Sequence, residues 1–125
     1  MIYKILTVIG LATFEIYAAI PAGFAFKLHP IEIFSSVQDV LTLDIGKTKL
    51  FLSHYSHRVW LGSHKGVIHL YGHSHGSIPD YGKSMDVGVD VAFKKFGEYR
   101  PFNIGDITNI MSKRTIEKID HHGDD

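Results

Sequence analysis

One stretch of the chain almost lacks charge, and it restricts the available folds more than any other feature. From Ile5 to Phe26, 22 residues are apolar except for Thr7, Thr13 and Glu15. As a helix they would span about 33 Å at 1.5 Å per residue, the thickness of a bilayer core. Lys4 and Lys27 bracket the run as interfacial anchors would, while Gly10, Pro21 and Gly23 weaken it as a helix. Three readings compete. A transmembrane or re-entrant helix fits the length and the lysines. A signal peptide fits the small residues Ala18, Ala19 and Ala22, but Glu15 would break its apolar core. A buried helix of a soluble domain would carry more apolar surface than so small a partner could cover. The membrane reading is preferred, with residues 1–30 as one apolar helix, 31–38 as a join and 39–125 as a second unit. The chain is then membrane-associated if residues 5–26 insert and cytoplasmic otherwise.

Glu15-Ile16-Tyr17-Ala18-Ala19-Ile20-Pro21-Ala22-Gly23 resembles the N-terminal segment of the small multidrug export family. A single span cannot build an alternating-access pathway, so the resemblance implies a membrane-anchored or transporter-derived fragment, not a transporter.

The rest of the chain is different. Four charged residues precede Asp39, and 22 lie from Asp39 to Asp125. Their signs balance to a net charge of +0, which gives no nucleic-acid-binding signature. The absence of cysteine excludes disulfides, thiolate metal sites and a cysteine nucleophile. Alternation in Val40, Leu41, Leu43 and Ile45, then Gly46-Lys47 and Lys49–Leu52, predicts a β-hairpin. Val67–Tyr71 predicts a strand ending at Gly72, and Met85–Val91 another, with Asp86, Gly88 and Asp90 on one face. Asn103 is placed to cap a helix, whose spacing runs from Ile104 to Ile119.

Six of nine histidines fall between His54 and His75. His73 and His75 lie in Gly72-His73-Ser74-His75-Gly76, directly after a predicted strand, and His54 closes the strand before it. If those strands are aligned neighbours, three imidazoles meet at one sheet edge and could hold one Zn²⁺ or similar ion, with Asp86 or water completing the shell. The plainer reading is a glycine-rich loop. His69 reads as a packed core histidine and His57 and His64 as exposed loop residues. His29 reads as interfacial, and His121 and His122 as part of a solvated tail. Arg58 could grip a phosphate or pack on Trp60 or Tyr55; Trp60 reads as a packing anchor. Asp86 and Asp90 could orient an imidazole, though Asp90 reads better as an exposed strand residue.

Residues 39–125 resemble the C-terminal half of the calcineurin-like metallophosphoesterases. The likeness rests on Leu50–Tyr55 with Arg58-Val59-Trp60, on Ile68–Gly76 with its GHxH pair, on Asp86–Asp90 and on Tyr99–Phe102. It implies a hydrolase of phosphate esters that uses divalent metal ions (Mn, Zn, Fe or Mg). His54 and His73 would bind one ion and His75 the other. It also implies an α/β fold, a partial sandwich with a mixed sheet and a terminal helix, preceded here by the apolar helix. The family's remaining motifs have no counterpart: no Asp-x-His precedes His54, no Gly-Asn-His occurs, and Gly105-Asp106 follows the GHxH pair. The site is therefore expected to be incomplete, the domain truncated and the chain a fusion of two partial families or a mis-joined reading frame. A half sandwich would leave part of a sheet face open, which predicts marginal stability or oligomerisation. The alternative is a non-catalytic imidazole metal-binding module.

Overall fold

The computed structural model describes residues 8–9 and 37–120. Val8–Ile9 (β1) pairs in parallel with Val37–Gln38 (β2). These are the two residues of the run 5–26 that are described. They are extended and not helical, because their backbone pairs with β2. The rest of that run, Glu15–Gly23 included, lies outside the described residues, as do His29, residues 31–36, His121 and His122. Among the described residues no helix is long and apolar enough to cross a membrane.

The main sheet is mixed, with Val40–Ile45 (β3), Thr48–Ser53 (β4), Ile68–Tyr71 (β5) and Ser84–Asp86 (β6) side by side in that order. β3 and β4 form the predicted hairpin, closed by Gly46-Lys47 with Ile45 opposite Thr48. Gly46 takes φ +60° at the first turn position, a conformation open to glycine at no steric cost. β4–β5 and β5–β6 are parallel. Parallel strands must be joined by crossovers, and these carry the functional residues.

Pairing sorts the side chains into rows. Leu41, Leu52, Leu70 and Met85 stand in one row, and Leu43, Leu50 and Ile68 in the next. Against them lies the helix Ile104–Ser112 (α2), contributing Ile107 and Met111 to the same core. Each buried aliphatic side chain of this kind contributes about 1.5–3 kcal/mol. The opposite row is Thr42, Phe51, His69 and Ser84. Over Phe51 and His69 the 54–67 connection lays His57 and buried Trp60, whose Nε1–H donates to the Val67 carbonyl (2.7 Å). The half-open face expected from the sequence is thus confined to β3, where Val40, Thr42 and Asp44 remain exposed.

Two predicted elements are shorter than expected. The strand Met85–Val91 stops at Asp86, and Val89–Phe96 is a helix (α1). The Asp86 carboxylate accepts the Gly88 N–H (2.8 Å) and turns the chain out of the sheet. α1 then buries Val91 and Ala92 and stops at Gly97, whose φ of +76° and bond to the Phe93 carbonyl form an αL cap. α2 stops at Ser112 instead of Ile119, because the following residues bind back to the sheet. Arg114 donates to the Ser84 carbonyl and pairs with Asp80, and Lys83 Nζ takes the Met111 carbonyl. The start of α2 is as predicted: Asn103 Oδ1 accepts the Asp106 N–H (2.8 Å) and Asp106 accepts the Asn103 N–H (3.1 Å), a reciprocal capping box.

Candidate metal centre

Parallel pairing aligns the C-terminal ends of β4 and β5, and the ladder runs one step further through the Gly72 N–H to the His54 carbonyl (3.2 Å). His54 and His73 therefore emerge side by side. Their rings lie 5.0 Å apart at 66°, with His54 Nε2 3.2 Å from His73 Nδ1, and the exposed Tyr55 ring packs on both.

The Gly72–Gly76 loop is strained at its histidines. Among the described residues, only His73 (φ +60°) and His75 (φ +52°) are non-glycine residues at positive φ, a conformation costing about 1–2 kcal/mol each for an L residue. His73 is the centre of a three-residue turn, with the Ser74 N–H on the Gly72 carbonyl (2.6 Å) and the φ sign of the rare, strained γ-turn. His75 and Gly76, both at positive φ, are the central residues of a β-turn closed by the Ser77 N–H on the Ser74 carbonyl (2.9 Å).

Two carboxylates hold this loop from behind. Asp86, 3% exposed, accepts the Gly76 N–H on one oxygen (2.9 Å) and the Gly88 N–H on the other (2.8 Å). It is therefore a backbone clamp, whereas the sequence offered it, with water as the alternative, to complete a metal shell. Asp90, read from the sequence as an exposed strand residue, is on α1 and accepts a hydrogen bond from His75 Nδ1–H (2.8 Å). Burial pushes the Asp90 carboxyl up, but the bonds from His75 and the Val91 N–H outweigh it and hold its pKa below the usual carboxylate value. Gly88 is the residue that fits between: a Cβ there would lie 2.7 Å from Asp90 Oδ1 and 3.1 Å from Asp86 Oδ1.

Two ligands of one tetrahedral ion at about 2.0–2.1 Å each are about 3.3–3.4 Å apart, so the 3.2 Å between His54 Nε2 and His73 Nδ1 fits one edge of such a shell. Desolvation, then the neighbouring His73, lowers the His54 pKa, which favours the neutral imidazole that a metal needs. His54 Nδ1 is buried without a hydrogen-bond partner. A metal-bound histidine normally donates its second N–H, and that support is missing here. His75 does not join the pair, and among the described residues no group of three His, Asp or Glu is arranged to hold an ion. The structure thus assembles two of the three expected imidazoles and sets the third apart on Asp90.

The other histidines separate as well. His69 is wholly buried, as its place on an apolar strand suggested: Nδ1–H donates to the Phe51 carbonyl (3.1 Å) and Nε2 accepts the His57 N–H (2.9 Å). Desolvation pushes its pKa down to about 4. His57 is half-buried and not the exposed loop residue expected, because its Nδ1 bonds to Ser53 Oγ (3.0 Å) and to the Tyr55 carbonyl (3.1 Å). His64 lies half-buried in the 3₁₀ turn Ser63–Lys65. Arg58 packs over Tyr81 (5.3 Å to the ring centroid) and not on Trp60 or Tyr55. Sequence reasoning did not single out Tyr81, which is 23 residues further on; a cation and an aromatic brought together by two crossovers leave no local signal.

No family model, curated protein or solved structure matches this chain.

Proposed function

We propose that the chain binds a divalent transition-metal ion through His54 and His73 at the ends of β4 and β5, as the metal-holding part of a phosphoesterase-type hydrolase. The observation carrying this is the 3.2 Å imidazole edge built at a strained loop; backbone strain of this kind persists where the surroundings over-determine it, and clusters at functional sites. The separation of His75 from the pair agrees with the division of ligands that the metallophosphoesterase resemblance implies. Such an ion would supply Lewis-acid stabilisation of phosphate oxygens. The chain's own residues do the positioning: Asp86 fixes the loop, and Asp90 fixes the His75 tautomer so that Nε2 is its outward atom.

Two imidazoles fall short of the three or four protein ligands usual for such ions. Hydrolysis by this chain therefore needs ligands beyond His54 and His73, and the second reading, a metal-binding module without turnover, is favoured by that shortfall. Calorimetry of the full chain with Zn²⁺ and Mn²⁺ tests the proposal. One ion per chain, lost in both His54→Ala and His73→Ala, is expected. Binding that survives both substitutions overturns it. Turnover of nitrophenyl phosphate with Mn²⁺, abolished by His73→Ala, selects the hydrolase; an ion bound without turnover selects the module.

A further inference from the structure

A second site lies beside the imidazole pair. The crossover after β4 and the loop before β6 face each other across a cleft of about 430 Å³, lined on one side by Ser56 and Arg58 and on the other by Ile78, Pro79 and Tyr81. Its floor includes Tyr71, buried at the end of β5. This volume is in the range of small-molecule sites.

Its electrostatics are one-sided. Asp80, the carboxylate in the cleft wall, is neutralised by Arg114. Arg58 is exposed and, among the described residues, enters no ion pair or hydrogen bond; its contact is the face of Tyr81. A guanidinium held on an aromatic face keeps its N–H fork free for a planar or tetrahedral oxyanion. Exposed Ile78, with Pro79 and the Tyr81 ring, gives the remaining wall an apolar surface suited to a compact ring.

We propose that this cleft binds aryl phosphates, the phosphate on Arg58 and the ring against Ile78, Pro79 and Tyr81. The cleft contains neither His54 nor His73, so binding here needs no metal and goes beyond the metal reading. A dianionic phosphate offers the fork more charge than a carboxylate does, which is why phosphate is the favoured anion.

The test is titration of the full chain with phenyl phosphate in EDTA, followed by calorimetry and amide chemical shifts. Saturable binding is expected, at least tenfold tighter than that of inorganic phosphate, phenol or benzoate. Arg58→Gln should weaken it at least tenfold and Tyr81→Ala severalfold. Arg58 is exposed, so its substitution leaves the fold intact, and an unchanged far-UV spectrum checks this. His73→Ala should bind phenyl phosphate like the unsubstituted chain, whatever the outcome of the metal titration. Several results would overturn the assignment: equal affinity for phenyl phosphate and inorganic phosphate, benzoate binding as tightly, no saturation at millimolar ligand, an unaffected Arg58→Gln, or loss in His73→Ala.

Discussion

Protonation of His69 should be among the larger contributors to the acid sensitivity of this fold. The ring is wholly buried, and both nitrogens are committed: Nδ1–H to the Phe51 carbonyl and Nε2 to the His57 N–H. A second proton would go on Nε2, turning an acceptor into a donor aimed at another donor. Its folded pKa of about 4 against the ordinary 6.5 gives the direction. As pH falls through 6.5 the unfolded chain takes up a proton that the folded chain refuses until about pH 4. Stability is therefore intact above pH 6.5 and declines between 6.5 and 4. At 1.36 kcal/mol per pH unit, the whole window is worth about 3.4 kcal/mol, and the interval from pH 7.5 to 4.5 about 2.5 kcal/mol.

The perturbation is His69→Phe, close in shape but unable to titrate. At pH 7.5 it leaves the Phe51 carbonyl and the His57 N–H unpaired, at about 1–3 kcal/mol for each. His69→Gln, which keeps an amide donor and acceptor, should cost less. Urea denaturation of the full chain and both variants at pH 7.5 and 4.5 measures both effects. The unsubstituted chain should lose about 2.5 kcal/mol more than His69→Phe over that interval. Equal losses in the two proteins would refute the reasoning, because other titrating groups are common to both.

The strained loop and the helix cap give two smaller effects. His73→Gly should be more stable than His73→Ala by about 1 kcal/mol, measured by thermal melting, because alanine keeps the positive-φ penalty; alanine equal to or better than glycine would show that the turn is not left-handed. Asn103→Ala should destabilise the chain by about 1 kcal/mol and lower its urea midpoint. The partner carboxyl of that cap, Asp106, is held below its ordinary pKa chiefly by its bond to Arg100, so its contribution is present at neutral pH and fades as pH falls through that lowered value.

The hairpin, β5 and the Asn103 cap were legible in the sequence because each rests on local chemistry: a two-residue turn, a short apolar run before Gly72, a side chain three residues from the N–H it caps. His69 was legible for the same reason, as an imidazole in an otherwise apolar strand. The α1 helix was not, because Val87, Val89 and Val91 alternate as a strand does. What overrides the alternation is the bond from the Gly88 N–H to the Asp86 carboxylate, although Asp90 at the first turn, Lys94-Lys95 at the last and Gly97 after them were available helix signals. Misreading α1 also hid the role of Asp90, which meets His75 only when the chain turns back from the sheet.

The same rearrangement explains how a loop with two left-handed histidines persists. Its strain, about 2–4 kcal/mol for the pair, is opposed by bonds that lie within the protein: Asp86 to Gly76, Ser77 to Ser74 and Asp90 to His75. Asp86 is buried, so its bond to the loop is little weakened by water. Gly88 allows both carboxylates to stand where they do, since a Cβ would press on each. The loop is thus shaped by β6 and α1, and an ion bound at His54 and His73 as proposed would meet ligands already side by side. On that geometry the proposed metal binding would be only weakly coupled to folding, in contrast to small domains that fold on their metal. The conformational penalty at His73 and His75 is met by the fold, so an ion held as proposed would not have to offset it.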